Sequence, residues 1–212
     1  MTKPLAALVN LNTNNILSIK RALEFVGFKT EVINEYSNID RFDIIVLPGV
    51  GAFSKAMKRL EETSLIKFVN EALNRNKDFI GICLGMQLLF SESPEFKKTN
   101  GLSFFNEKIQ NFKNFNVSKK TAIGWNQVKF NKSFFDDEKD FKIFNKEYFY
   151  FVHSFFVDNK KKEYEQGTSF NGDKEFVSVI KKSNIVAFQF HPEKSGLLGL
   201  KLLKATTKKF FL

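Results

Sequence analysis

Apolar positions in the first eighty residues fall into two alternating kinds of segment. Residues 5–11, 43–49 and 78–82 are short apolar runs, such as Ile44-Ile45-Val46-Leu47, with no polar residue on every second position. Runs of this kind predict strands buried on both faces. Residues 30–34 form a further short strand. Between them, residues 16–28 place Ile16, Ile19, Leu23 and Val26 at helical spacing and end near Gly27, which predicts an amphipathic helix with a glycine stop. Ser54 is an expected N-cap for a helix through about residue 74. Strands separated by helices imply a parallel sheet covered on both faces, an α/β three-layer sandwich.

The pattern changes after about Gly101. Short strand-like runs at 124–130, 148–157, 175–180 and 186–190 are separated by turn residues, and a closing helix is expected from 195 to about 209. This predicts an added antiparallel section beside a mostly parallel central sheet. Residues 111–120 and 131–146 are polar and interrupted, and read as surface insertions. With no internal repeat and no linker composition, residues 1–212 are expected to form a single domain.

Composition narrows the classes of function. A 43% hydrophobic and 26% charged content is ordinary for a soluble domain with a sizeable core. The start, Met1-Thr2-Lys3-Pro4, has no signal-peptide layout, and no apolar run approaches the roughly 20 residues of a membrane span. A single cysteine excludes an internal disulfide framework and suits a reducing compartment, so a cytoplasmic location without membrane association is expected. The net charge of +10 invites a nucleic-acid reading. Its lysines are dispersed, with small clusters at Lys119-Lys120, Lys160-Lys161-Lys162, Lys181-Lys182 and Lys208-Lys209, and no recognition motif accompanies them. A solvated basic surface that steers anions accounts for the charge, and no nucleic-acid partner is expected. The 27 phenylalanines read as compositional bias and carry no function.

The candidate chemistry lies at Gly81-Ile82-Cys83-Leu84-Gly85, which follows an apolar strand and opens a helix-like segment. This is a nucleophile elbow with cysteine as the nucleophile. The sharp turn lifts the side chain above the sheet edge, and the small residues on either side let the backbone pass closely. A thiol at a helix start also feels the positive dipole end, which favours the thiolate. Further along, His191-Pro192-Glu193 offers an imidazole with a carboxylate two residues on. Cys83, His191 and Glu193 then supply nucleophile, base and orienting acid. The competing structural reading makes Cys83 a small buried hydrophobe. The strand context, and the presence of only two histidines, His153 and His191, favour the catalytic one.

With this triad and the loop Pro48-Gly49-Val50-Gly51-Ala52-Phe53 in view, the chain resembles class I glutamine amidotransferases. More narrowly it is similar to the glutaminase subunit of imidazole glycerol phosphate synthase. Ile123-Gly124-Trp125-Asn126, Tyr150-Phe151-Val152-His153-Ser154 and Gln189-Phe190-His191-Pro192-Glu193-Lys194-Ser195-Gly196 carry the narrower likeness. The resemblance implies L-glutamine as substrate and ammonia as product. A separate cyclase subunit, held in a heterodimer, would use that ammonia to form imidazole glycerol phosphate and AICAR. No metal or other cofactor is implied.

Residue by residue, the likeness implies oxyanion donors at the Leu84 N–H and at Val50 or Gly51, where flanking glycines permit a peptide flip. It implies glutamine contacts at Gln87, Glu95, His153 and Ser154, and an ammonia exit and subunit interface at Trp125, Tyr150 and Lys194. Structural readings stand beside several of these. Gln87 could cap a buried backbone group, His153 could be a satisfied core residue, and Trp125 and Tyr150 could be core aromatics. Two segments depart from the family pattern, both where the family meets its partner. Asn10-Leu11-Asn12-Thr13-Asn14-Asn15 replaces a glycine-containing loop, and Thr121-Ala122 stands where Pro-His is usual. They leave open a paralogous glutaminase that feeds another synthase, such as one aminating a surface sugar. A different cysteine amidase, a regulatory scaffold and a basic nucleic-acid module explain fewer of the motifs.

Overall fold

Strand alternation sorts the core into two apolar layers. A computed structural model describes residues 3–12, 15–158 and 164–211; Thr13, Asn14 and the cluster Lys160-Lys161-Lys162 lie outside the described residues. The first half runs β1 (Leu5–Val9), α1 (Ile16–Val26), β2 (Lys29–Ile33), β3 (Ile44–Leu47), α2 (Phe53–Glu62), α3 (Leu65–Asn74) and β4 (Asp78–Ile82). Ala7, Val9, Ile45, Leu47 and Phe79 enter one layer, and Ala6, Leu8, Ile44, Val46, Ile80 and Ile82 enter the other. Successive side chains of a strand leave opposite faces, so a strand with both layers to fill must be apolar throughout. Helices α2 and α3 close the first layer through Phe53, Met57, Leu60, Phe68 and Val69. Helix α1 closes the second through Ile19, Leu23 and Val26.

The second half runs α4 (Leu84–Gln87), β5 (Phe90–Ser93), β6 (Thr99–Asn100), β7 (Phe105–Asn111), β8 (Ala122–Phe130), α5 (Glu138–Phe144), β9 (Glu147–His153), β10 (Phe155–Asp158), β11 (Glu165–Asn171), β12 (Lys174–Lys182), β13 (Ile185–Phe188) and α6 (Gly196–Thr206). The sheet order is β2-β1-β3-β4-β13-β12-β10-β7-β5-β6. The strands from β2 to β13 are parallel, and β12, β10 and β7 continue antiparallel. A ribbon of β8 and β9 branches off through β11. Helix α6 joins α1 over the second layer with Leu202 and Leu203. The α/β class with a parallel sheet and antiparallel extension matches the sequence-based expectation.

Four expectations are corrected. The helix predicted from Ser54 to about 74 is two helices, because Ser64 between them takes a left-handed conformation at φ 56°. Helix α2 starts at Phe53 rather than after a Ser54 cap, and its first N–H is capped by the Glu95 carboxylate at 2.6 Å. The strand predicted over 148–157 breaks at Ser154, since β9 pairs with β8 whereas β10 pairs with β7 and β12. The segments 111–120 and 131–146 are not merely polar surface, for Phe112, Phe134 and Phe144 are fully buried. Phe112 stacks on Phe156 with centroids 4.2 Å apart. Many of the phenylalanines fill the second layer, and Phe144 of α5 is among them.

Candidate active site

Cys83 follows β4 in a strained turn, at φ 54° and ψ −107°. A non-glycine residue is held there only by its surroundings. Its N–H donates to Phe188 O at 2.7 Å, which anchors the turn to β13. Helix α4 then folds back so closely on β3 that a Cβ at Gly85 would lie 1.8 Å from Leu47 O. Glycine alone permits that approach. The thiol therefore stands at the carboxyl end of the central parallel strands, where open α/β sheets bind ligands.

His191 arrives from the neighbouring strand β13 and is fixed by its backbone. Its N–H donates to Tyr150 O at 2.9 Å, and its carbonyl accepts from Ser195 Oγ at 2.7 Å. The same hydroxyl accepts the Tyr150 N–H at 3.0 Å. His191 Nδ1 lies 2.8 Å from Glu193 Oε1, and neither side chain has any exposed surface. The carboxylate thus selects the tautomer or charge state with a proton on Nδ1. Burial alone would lower the His191 pKa, but negative charge on the Cys83 sulfur and on Glu193 outweighs it and raises the imidazole to about 10. Its Nε2 is buried without a well-aligned hydrogen bond, so the Cys83 sulfur acts on it mainly through charge. Cysteine, histidine and glutamate are brought together at one end of the central sheet.

A cavity of about 420 Å³ opens beside Cys83 and is also lined by Val50, Gly51, Leu84, Gln87, Glu95, His153 and Ser154. All the expected oxyanion and glutamine-contact positions therefore share one space with the thiol. A second cavity of about 400 Å³ lies around Asp78, Asp136 and Asp140. Its lysines are already paired with those aspartates, and neither a cysteine nor a histidine lines it.

The oxyanion side differs from expectation in one respect. The Leu84 N–H is not free, because it donates to Gly49 O at 3.3 Å. Gly51 holds φ 108°, a conformation that favours glycine.

The glutamine-contact positions make bonds of their own. Gln87 Nε2 donates to Phe155 O at 2.8 Å, so the backbone-capping reading of this side chain is realised alongside its place on the cavity wall. His153 is buried with Phe112, Phe151 and Phe176 around it. Its Nδ1 bonds Phe155 O at 2.8 Å, which leaves Nε2 buried and unpartnered. Burial, set against that bond, lowers its pKa to about 4, so His153 is neutral where His191 is charged. Glu95 is pushed upward by burial, with the Phe53 N–H pulling the other way.

Trp125 is 57% exposed, which removes the core reading for it. It pairs with Tyr150 across the ribbon at 6.2 Å, and Ile123 and Val152 extend the same exposed face. Lys194 is also exposed. Asn12, in the altered first loop, takes the left-handed conformation at φ 56°. Three residues near the site were not singled out from sequence: Gln189, Ser195 and the exposed Phe96 on the cavity rim. Gln189 could have been found by its position two residues before His191 in an extended run.

An elbow cysteine at the end of a parallel strand, with a buried histidine–carboxylate pair beside it, is an arrangement suited to nucleophilic acyl transfer. The sequence model described as glutamine amidotransferase class-I matches residues 7–208, and the chain belongs to that family. Within it, the relatives include the imidazole glycerol phosphate synthase subunit HisH of Caldanaerobacter subterraneus subsp. tengcongensis, 38% identical over 93% of this chain and 94% of its own. The HisH subunit of Aquifex aeolicus is 40% identical over 95% of each chain. Among solved structures, PurLQS from Thermotoga maritima superposes with a TM-score of 0.74 over 98% of this chain and 99% of its own, at 18% identity, a likeness of fold alone.

Proposed function

We propose that the chain is the glutaminase subunit of an imidazole glycerol phosphate synthase. It hydrolyses L-glutamine to glutamate and ammonia, and a cyclase partner uses the ammonia to form imidazole glycerol phosphate and AICAR in histidine biosynthesis. The pathway follows from the 36–40% identity to HisH subunits over most of the chain. The chemistry rests on one observation, Cys83 at a strained elbow beside the His191–Glu193 pair.

In this mechanism the Cys83 sulfur attacks the side-chain amide carbon of glutamine, with its proton held by His191. His191 then protonates the departing ammonia, while Glu193 keeps the ring aligned and stabilises its charged form. Water, deprotonated by His191, releases glutamate from the thioester. The tetrahedral oxyanion needs N–H donors, and the loss of one costs about 3–4 kcal/mol in other hydrolases. In this reading the Leu84 N–H and a peptide of the Val50–Gly51 loop become the donors once the Gly49 carbonyl turns away. His153 Nε2, neutral and unpartnered, can accept a hydrogen from the substrate's ammonium group, beside Ser154, Gln87 and Glu95.

The face of Ile123, Trp125 and Val152, all exposed, with the half-buried Tyr150 and with Lys194, is proposed as the seat of the cyclase and the exit for ammonia. Its strand is bonded directly to the His191 backbone. The reaction is assigned to the cytoplasm, where a lone thiol stays reduced. A glutamine-analogue chloro- or diazo-ketone should place one label, on Cys83, and Cys83→Ala should release no ammonia from glutamine. A label elsewhere, or wild-type turnover in that variant, contradicts the assignment.

A further inference from the structure

The bonds of one buried amide fix the orientation of another. Gln87 Nε2 donates both to Phe155 O and, at 3.0 Å, to Gln189 Oε1. A backbone carbonyl can only accept, so the Gln87 atom facing it must be nitrogen, and the second hydrogen of that nitrogen takes up the Gln189 oxygen. The Gln189 nitrogen is thereby turned toward the nucleophile and lies 3.8 Å from Cys83 Sγ, within reach of a sulfur acceptor. Gln189 has no exposed surface, so no solvent competes for this donor, and its backbone N–H is tied to Ser178 O at 2.7 Å.

We propose that Gln189 is a further catalytic residue, an amide donor to the Cys83 sulfur, and that Gln87 is its positioning residue. This deepens the proposed thioester chemistry and rests on it. A neutral amide supports negative charge on sulfur without adding a cation that would compete with His191 for the proton. Its benefit is largest where sulfur carries charge. In the second half-reaction, water adds to the thioester carbon, the carbon–sulfur bond breaks, and the electron pair returns to sulfur, where the Gln189 N–H meets it. Gln87, whose amide hydrogens are spent on Phe155 and Gln189, contributes to glutamine binding through its oxygen alone.

The test is alkylation of Cys83 by iodoacetamide across a pH series, which reads the thiolate without needing glutamine. In Gln189→Met, of similar length but without the donor, the pH midpoint of alkylation should rise by about one unit, a tenfold loss of thiolate below it and the worth of one hydrogen bond to an ion. The deficit should close at high pH, where a thiol ionises unaided. Gln87→Leu, which frees Gln189 to turn, should give a smaller deficit of the same shape. Gln189→Leu serves if Gln189→Met does not fold, with thermal unfolding as the check. A folded Gln189 variant that alkylates at the wild-type rate at every pH overturns the proposal, as does a Gln87→Leu deficit larger than that of Gln189→Met. Glutaminase activity surviving Cys83→Ala would instead overturn the thioester assignment and leave the alkylation result interpretable.

Discussion

The two sides of Cys83 are built to different degrees of readiness. On the base side, His191 and Glu193 are in hydrogen-bond contact, fully buried, and tied by backbone bonds to Tyr150 and through Ser195. On the oxyanion side, the expected Leu84 donor is taken by Gly49 O, and the loop beyond it is held by a glycine at positive φ. Proton transfer and nucleophile are thus preorganised, whereas charge stabilisation in the transition state is not. On the proposed chemistry this asymmetry keeps the isolated chain slow, because oxyanion donors supply one of the largest single contributions to acyl transfer. The same proposal makes the control point a loop that the proposed partner biases without disturbing the base.

The largest effects should come from breaking the ready side. His191→Ala should reduce glutaminase turnover to background. Glu193→Gln should leave a remnant about 10⁴-fold below wild type, since losing the orienting acid is less complete than losing the base. Both should still bind the partner. A silent Glu193→Gln at every pH, measured by ammonia release, would remove Glu193 from the machinery.

The two histidines sharpen the comparison through pH. His153 is neutral in the fold, with its pKa near 4, whereas an unfolded histidine titrates near 6.5. Between these values the unfolded chain holds a proton that the folded one lacks. Stability therefore falls as pH drops through that window, by up to about 3 kcal/mol. Urea unfolding at pH 4 and pH 7 should show this loss, and His153→Gln should flatten it. His191 has the opposite sign: its contribution is full below about 6.5 and is lost as pH rises toward 10. Alkaline unfolding of Cys83→Ala should show a weaker loss there, because the charge that raises the imidazole is gone. The smallest effect concerns the partner face. Lys194→Ala should lower partner stimulation several-fold, the scale of one exposed charge, with glutamine KM unchanged in the same assay.

Much of this was legible from sequence where one residue type has one physical use. The parallel strands were readable because both their faces are buried, and the triad because a lone thiol at an elbow and a histidine–carboxylate spacing have few other meanings. Strand β11 was hidden, since its buried residues are Gln166, Gly167, Thr168, Ser169 and Asn171, which show no apolar pattern. Ser169 Oγ donates to Gln127 O and Asn171 Nδ2 to Lys119 O, so these positions are held by polar bonds that leave no apolar signature. Segments holding Phe112, Phe134 and Phe144 read as surface because a single buried ring among polar neighbours leaves no periodicity. Gln189 was passed over for a related reason. An amide's role depends on which of its ends faces the sulfur, and only the surrounding bonds decide that.

The asymmetry itself is tested most directly by measuring two rates on the same protein, alone and with the proposed cyclase partner carrying acceptor ligand. One is alkylation of Cys83 by iodoacetamide, which needs the thiolate but no oxyanion hole; the other is release of ammonia from glutamine, which needs both. The base side is ready in the isolated chain, so alkylation should change little on adding the partner, while ammonia release should rise about 10²–10³-fold, the worth of an oxyanion donor. Full ammonia release by the isolated chain, or a parallel rise in both rates, would contradict a ready base beside an unready oxyanion hole.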